Sequence, residues 1–115
     1  MDYYHFVEAC GELGALKATG KLTTAFISIE PLLSWDSTPD FTLPWLMHGG
    51  IDWLIIGQQT PVSKKTEPRI EWVNEIEAAC RKAGIPYFEK DNLKTLLNRP
   101  LVREFPRERS KDEKH

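Results

Sequence analysis

Cysteine is scarce: the chain holds two in 115 residues. Cys10 and Cys80 lie far apart and form no CxxC pair, and His5, His48 and His115 are equally scattered. That excludes a disulfide framework, and with it a zinc site, which needs about four ligands at short pairwise spacings. Long apolar runs are absent as well. No stretch approaches the roughly 20 residues that cross a bilayer, so no membrane partner is expected. The opening Met1-Asp2-Tyr3-Tyr4-His5 has neither the basic nor the apolar region of an export signal. With two lone cysteines read as reduced thiols, this points to a cytoplasmic location. An excess of one charge is lacking too. Fifteen Lys and Arg face 17 Asp and Glu, a net charge of −2, and that balance argues against a nucleic-acid partner. Neither a GxxxxGK[ST] phosphate loop nor a Ser-His-Asp set is found.

What is present suits a packed core: 41% hydrophobic residues and 10% aromatics, four of them Trp. Phe6, Val7, Cys10, Leu13 and Leu16 recur at helical spacing and predict a helix over 3–18, stopped near Gly20. A strand-like run follows over 24–30 and ends at Pro31. Turn formers make 34–42 a loop, and Pro44 opens a short helix to about His48. Asp52-Trp53-Leu54-Ile55-Ile56-Gly57 is continuously apolar in its middle and predicts a parallel strand covered on both faces. A polar loop leads to a helix over 68–83 with the stripe Trp72, Val73, Ile76, Ala79, Cys80 and Ala83, closed by Gly84. A third strand spans 85–89, and Asp91 or Asn92 caps a short last helix. The fold class is therefore α/β: three parallel βα units with an N-terminal helix, in one domain over 1–107. Residues 108–115 are expected to be a charged, disordered tail. From Arg99 onward the mixed charges read as solvated chain or as a phosphate- or RNA-binding extension, with Leu101, Val102 and Phe105 free to dock on the body.

In parallel α/β folds, ligands bind at the carboxyl ends of the strands. Here those exits read Ser28-Ile29-Glu30-Pro31, Gly57-Gln58-Gln59-Thr60 and Glu89-Lys90-Asp91-Asn92. Alternation puts Ser28 and Glu30 on one side of their strand, and Phe88 and Lys90 on one side of theirs. Glu30 and Lys90 can then meet as an ion pair that closes the open end, or around a shared ligand. In the second case the ammonium neutralises an anionic group, and the carboxylate accepts hydrogen bonds or acts as a base. Gly57 suits a close backbone approach to a ligand or a plain strand-exit turn. Gln58 and Gln59 fit ligand hydrogen bonds and solvent equally. Asp91 and Asn92 read first as helix caps. Trp35 and Trp45 are core packing or a pocket wall, and Trp53 and Trp72 are core. The candidate ligand-binding residues are Glu30, Gly57, Gln58, Gln59, Lys90 and Asp91; no catalytic residue and no metal ligand is assigned.

Three segments carry a family resemblance: Phe26-Ile27-Ser28-Ile29-Glu30-Pro31-Leu32-Leu33, Ile51-Asp52-Trp53-Leu54-Ile55-Ile56-Gly57, and Ala83-Gly84-Ile85-Pro86-Tyr87-Phe88-Glu89-Lys90-Asp91-Asn92-Leu93. With Arg103-Glu104-Phe105-Pro106, they resemble the later part of a phage-associated, radical-SAM-like protein family with no assigned reaction. The resemblance implies the C-terminal half of a TIM-like (β/α) barrel. Its amino-terminal half would carry a CxxxCxxC loop holding a [4Fe–4S] cluster that cleaves S-adenosylmethionine. This sequence has no such loop, and Gln58-Gln59 stands where the family commonly shows a Gly-Glu pair.

The leading expectation is a half-barrel fragment or subunit, not catalytic alone, shaping a ligand site at the strand ends. S-adenosylmethionine and the cluster would enter only with an N-terminal half-barrel partner. The alternative is a non-catalytic binding or self-assembly module that forms homo-oligomers through open sheet edges. A stand-alone hydrolase or isomerase using Glu30 and Lys90 is a minor third reading.

Overall fold

The computed structural model describes residues 1–35 and 39–106. Helix α1 (Tyr3–Ala18) leads into strand β1 (Phe26–Ile29), helix α2 (Pro39–Gly49), strand β2 (Trp53–Ile56), helix α3 (Ile70–Ala83) and strand β3 (Tyr87–Glu89). A 3-10 turn (Asp91–Leu93) then runs into the short helix α4 (Lys94–Leu97). The order is the alternation that the periodicity predicts.

Helix α1 starts where the Asp2 side chain accepts the His5 backbone N–H at 2.9 Å, an N-cap that satisfies one orphan donor. Gly14, an unfavourable residue inside a helix, has a packing reason. A Cβ there would sit 2.5 Å from the His48 carbonyl oxygen, so only glycine lets α1 lie against the end of α2. Helix α3 buries Val73, Ile76, Ala79 and Cys80 and ends at Gly84, whose φ of 70° closes the last turn.

Helix α2 corrects the sequence reading. It begins at Pro39 and runs through Pro44, where a loop to residue 42 and a helix start at Pro44 were expected. Pro44 removes one intrahelical hydrogen bond. The helix forms anyway because tertiary bonds hold its first turns. The Thr42 hydroxyl donates to Glu75 of α3 at 2.6 Å, and the Trp35 indole N–H reaches Glu75 at 2.9 Å and Thr42 at 3.1 Å. Trp35 is buried in the core.

The three strands are parallel in the order β1-β2-β3. Ile27, Leu54 and Tyr87 align in one row, and Ile29, Ile56 and Glu89 in another; all six are buried. The five other than Glu89 share one core cluster with Phe6 and Cys10 of α1, Leu46 of α2, and Val73, Ile76 and Cys80 of α3. The helices that carry these residues therefore lie on this one face of the sheet. The opposite face carries Phe26, Ser28, Trp53, Ile55 and Phe88, which are exposed or half-buried. Strand β2 is therefore covered by helices on one face only, although its apolar run suggested two. Trp53, expected in the core, stands on the open face.

After α4 the chain takes the docked of the two expected courses: Leu101 and Val102 pack against the core, and the chain does not leave the body as solvated chain at Arg99. Residues 101–105 turn back along the outer edge of β3, where Arg103 pairs antiparallel with Phe88. The expected charged tail over 108–115 lies outside the described residues.

Candidate functional site at the carboxyl end of the sheet

Glu30, Gly57 and Lys90 each follow the last residue of a strand, so the register of Ile29, Ile56 and Glu89 carries them into the next row together. Alternation places that row on the open face. Lys90 Nζ lies 2.9 Å from Glu30 Oε1, so the pair reaches from β3 to β1 across β2. Gly57 makes this possible. A Cβ there would stand 2.8 Å from Glu30 Oε2 and 3.3 Å from Asn92 Oδ1. The glycine thus makes room for a carboxylate of the chain's own.

Beside this row Gln58 is buried and Asn92 clamps it. The Gln58 N–H donates to Asn92 Oδ1 at 3.0 Å, and Asn92 Nδ2 donates to the Gln58 carbonyl at 3.1 Å. The Gln58 side-chain amide also donates to the Asn92 carbonyl, while its Oε1 is buried with no hydrogen-bond partner among the described residues. Gln59 is exposed. Neither Asp91 nor Asn92 caps a helix by its side chain, because Lys90 is the N-cap of the turn and makes no side-chain cap bond. Asn92 joins two strand exits instead. Asp91 is exposed and pairs with Arg103, whose guanidinium lies 4.7 Å from the centre of the Phe88 ring.

Below the row, the open face is aromatic. The Trp53 ring centre lies 6.1 Å from that of Phe26, 5.9 Å from Phe88 and 6.2 Å from Phe105. Phe26 is 59% and Phe105 66% exposed. On the helix side the matching position is Glu89, wholly buried. Its carboxylate accepts two bonds from Arg99, at 2.8 and 2.9 Å, with the Val102 N–H at 2.8 Å and the Tyr87 hydroxyl at 2.7 Å. Burial pushes the Glu89 carboxyl up, but Arg99, Val102 and Tyr87 together hold it below its ordinary value. Burial, and then the Glu89 charge, pushes the Tyr87 hydroxyl well above its usual range.

Sequence reading brought Glu30, Gly57, Gln58 and Lys90 to this edge and missed Asn92 and Arg103 as partners. It also missed the Glu89–Arg99 pair. A signal for that pair existed: Glu89 alternates with Tyr87 and so shares its buried face, where a carboxylate needs a cation.

The row and its surroundings offer one lysine, two carboxylates, three amides and an arginine. The row can bind a polar ligand by hydrogen bonds, and Glu30 can act as a base once Lys90 is drawn away. A thiolate cluster is beyond its means. Cys10 and Cys80 are buried in different helices, burial pushes both thiols up to about 12, and no group of three His, Cys, Asp or Glu suited to a metal occurs among the described residues. A separate depression lies between α2 and α3, lined by Leu43, Pro44, Asn74, Ala78 and Lys82 among others. No described helix is long and apolar enough to cross a membrane.

No curated protein and no solved structure matches the chain significantly. A family model does match, over residues 7–99, which takes in every strand and every strand exit of the site. The chain belongs to that family, described as a protein of unknown function (DUF5131).

Proposed function

We propose that this chain is one section of a larger, phage-related (β/α) barrel of the radical-SAM type, not catalytic alone, which shapes a ligand site at the carboxyl ends of its strands. The observation that carries this reading is the one-sided sheet. All helices of the core cluster stand on one face, while the other presents an aromatic floor under the polar row Glu30, Gly57, Lys90. In a (β/α) barrel that second face is the lumen, and the polar row is its mouth. An isolated three-stranded section would leave the lumen face uncovered, as it is here.

The residues present do not fit the iron–sulfur cluster of the resembled family, so any cluster and any S-adenosylmethionine come with an N-terminal half-barrel partner. Glu30, Gln58 and Lys90 would then contribute polar contacts to the shared site, with Gly57 keeping the row open. The test is co-production with a polypeptide that carries a CxxxCxxC loop and is encoded beside this chain. The expected result is a one-to-one complex in which Trp53 fluorescence shifts to shorter wavelength and S-adenosylmethionine binds by calorimetry. A chain that stays separate from such a polypeptide, with no binding, rejects the reading.

A second reading is self-assembly, favoured by the outer edge of β1, which no strand among the described residues pairs. It predicts concentration-dependent association of the chain alone, with Trp53 buried by a second copy.

A further inference from the structure

We infer that residues 99–105 are an edge lock: they close the outer edge of β3 to any further strand and leave β1 as the one edge of the described sheet open to addition. The inference goes beyond the barrel reading and stands without it.

A bare edge strand presents alternate N–H and C=O groups to solvent and templates pairing with other chains. On β3, the Leu54 N–H bonds the Pro86 carbonyl and the Lys90 N–H bonds the Ile56 carbonyl. By alternation, Tyr87 and Glu89 face the outer edge. The strap occupies them. The Tyr87 N–H donates to the Glu104 carboxylate at 2.9 Å, and the Tyr87 carbonyl accepts the Glu104 N–H at 3.1 Å. The Glu89 N–H donates to the Val102 carbonyl at 2.8 Å. The other oxygen of Glu104 holds Arg81 of α3 at 2.6 Å, so one side chain fastens the strap to sheet and helix together. At the root of the strap, Arg99 grips buried Glu89, and along it Arg103 lies over Phe88.

Among the described residues, strand β1 has no such cover. The Asp52 N–H bonds the Ala25 carbonyl and the Gly57 N–H bonds the Ile29 carbonyl, which turns the backbone groups of Phe26 and Ser28 outward. Among the described residues no strand pairs with that side. Two edges of one sheet are thus treated differently. Head-to-tail stacking, β1 of one copy on β3 of the next, would grow an open-ended sheet. The strap blocks it, while a single strand can still add to β1.

Replacing Glu104 with proline (Glu104→Pro) in the full chain removes its N–H and its carboxylate and leaves the Arg99–Glu89 pair in place. Hydrogen exchange at the Tyr87 amide is expected to quicken on the order of tenfold, with the Leu54 and Ile56 amides unchanged. The variant is also expected to sediment as species larger than the unmodified chain, and Tyr87 exchange is expected to slow again as concentration rises. A Tyr87 amide as slow as in the unmodified chain overturns the inference. So does a variant with an open Tyr87 amide and no added association. If Glu104→Pro opens every amide at once, Glu104→Gln decides. It keeps an acceptor for Tyr87 but weakens the Arg81 contact, so exchange should rise roughly two- to fivefold at Tyr87 alone. No local rise there overturns the inference.

Discussion

At Gly57, a missing side chain sets the geometry. Gly57→Ala puts a methyl 2.8 Å from Glu30 Oε2, so either the carboxylate or the strand exit must shift. Oε2 is the far end of a flexible side chain that can turn aside, so the expected cost is about 1 kcal/mol in urea unfolding. The ion pair itself is worth no more. Its side chains are 30% exposed at Glu30 and 44% at Lys90, so Glu30→Gln and Lys90→Met should each cost under about 1 kcal/mol. A loss of several kcal/mol from either would make the pair a structural strut and count against a ligand role. Arg99→Ala is the contrasting case. It strands the buried Glu89 carboxylate and should cost about 2–4 kcal/mol in the same measurement. The site was legible where it rests on alternation: Glu30 and Lys90 fall on one side of their strands by counting residues. The clamp of Asn92 on Gln58 was not, because it depends on a turn whose cap is backbone geometry at Lys90 and leaves the Asn92 side chain free for β2.

Among the elements, α3 and β3 were the most legible and α2 the least. The stripe of α3 and the stop at Gly84 are local signals, and local signals survive folding. The start of α2 is decided by Glu75, more than thirty residues away, which binds Thr42 and Trp35. Pro44 is exposed on that helix, so Pro44→Ala should restore a backbone bond and stabilise the chain by about 1 kcal/mol or more. A lower melting temperature for that variant would mean that the proline ring packs usefully against α3. The strap was hidden for another reason: its alternating charges look like a solvated tail until Arg99 meets Glu89 and Glu104 meets Arg81. Its acid response follows from those pairs. Arg81 chiefly, with the Tyr87 N–H, holds the Glu104 carboxyl below its ordinary 4.5, and the Glu89 carboxyl is also held down. A carboxyl depressed in the folded state contributes stability that is present above its unfolded value and lost as pH falls through the folded one. Urea midpoints should therefore hold steady above about pH 5 and fall as pH drops further. Glu104→Gln should show a shallower fall, and an unchanged acid slope in that variant would remove Glu104 from the account.

For the molecule as a whole, the parallel α/β architecture was readable from the strand spacing, but its one-sidedness was not. Apolar residues at both parities of β2 look like burial on both faces, and nothing in the strand says that one cover is absent. If the open face and the β1 edge are where a partner joins, Phe26→Lys should weaken any association of the chain at least tenfold by sedimentation and leave its unfolding unchanged to within about 1 kcal/mol, since Phe26 is 59% exposed. Equal association by that variant would move the contact elsewhere. The Glu30–Lys90 link bears on the same question. The outer strands of a three-stranded sheet are separated by two strand spacings, about 9.6 Å. Two long side chains reaching towards each other span that gap without drawing the strands together. The link therefore works as a latch across β2 and not as a brace: a ligand that takes either charge opens it at little cost to the fold.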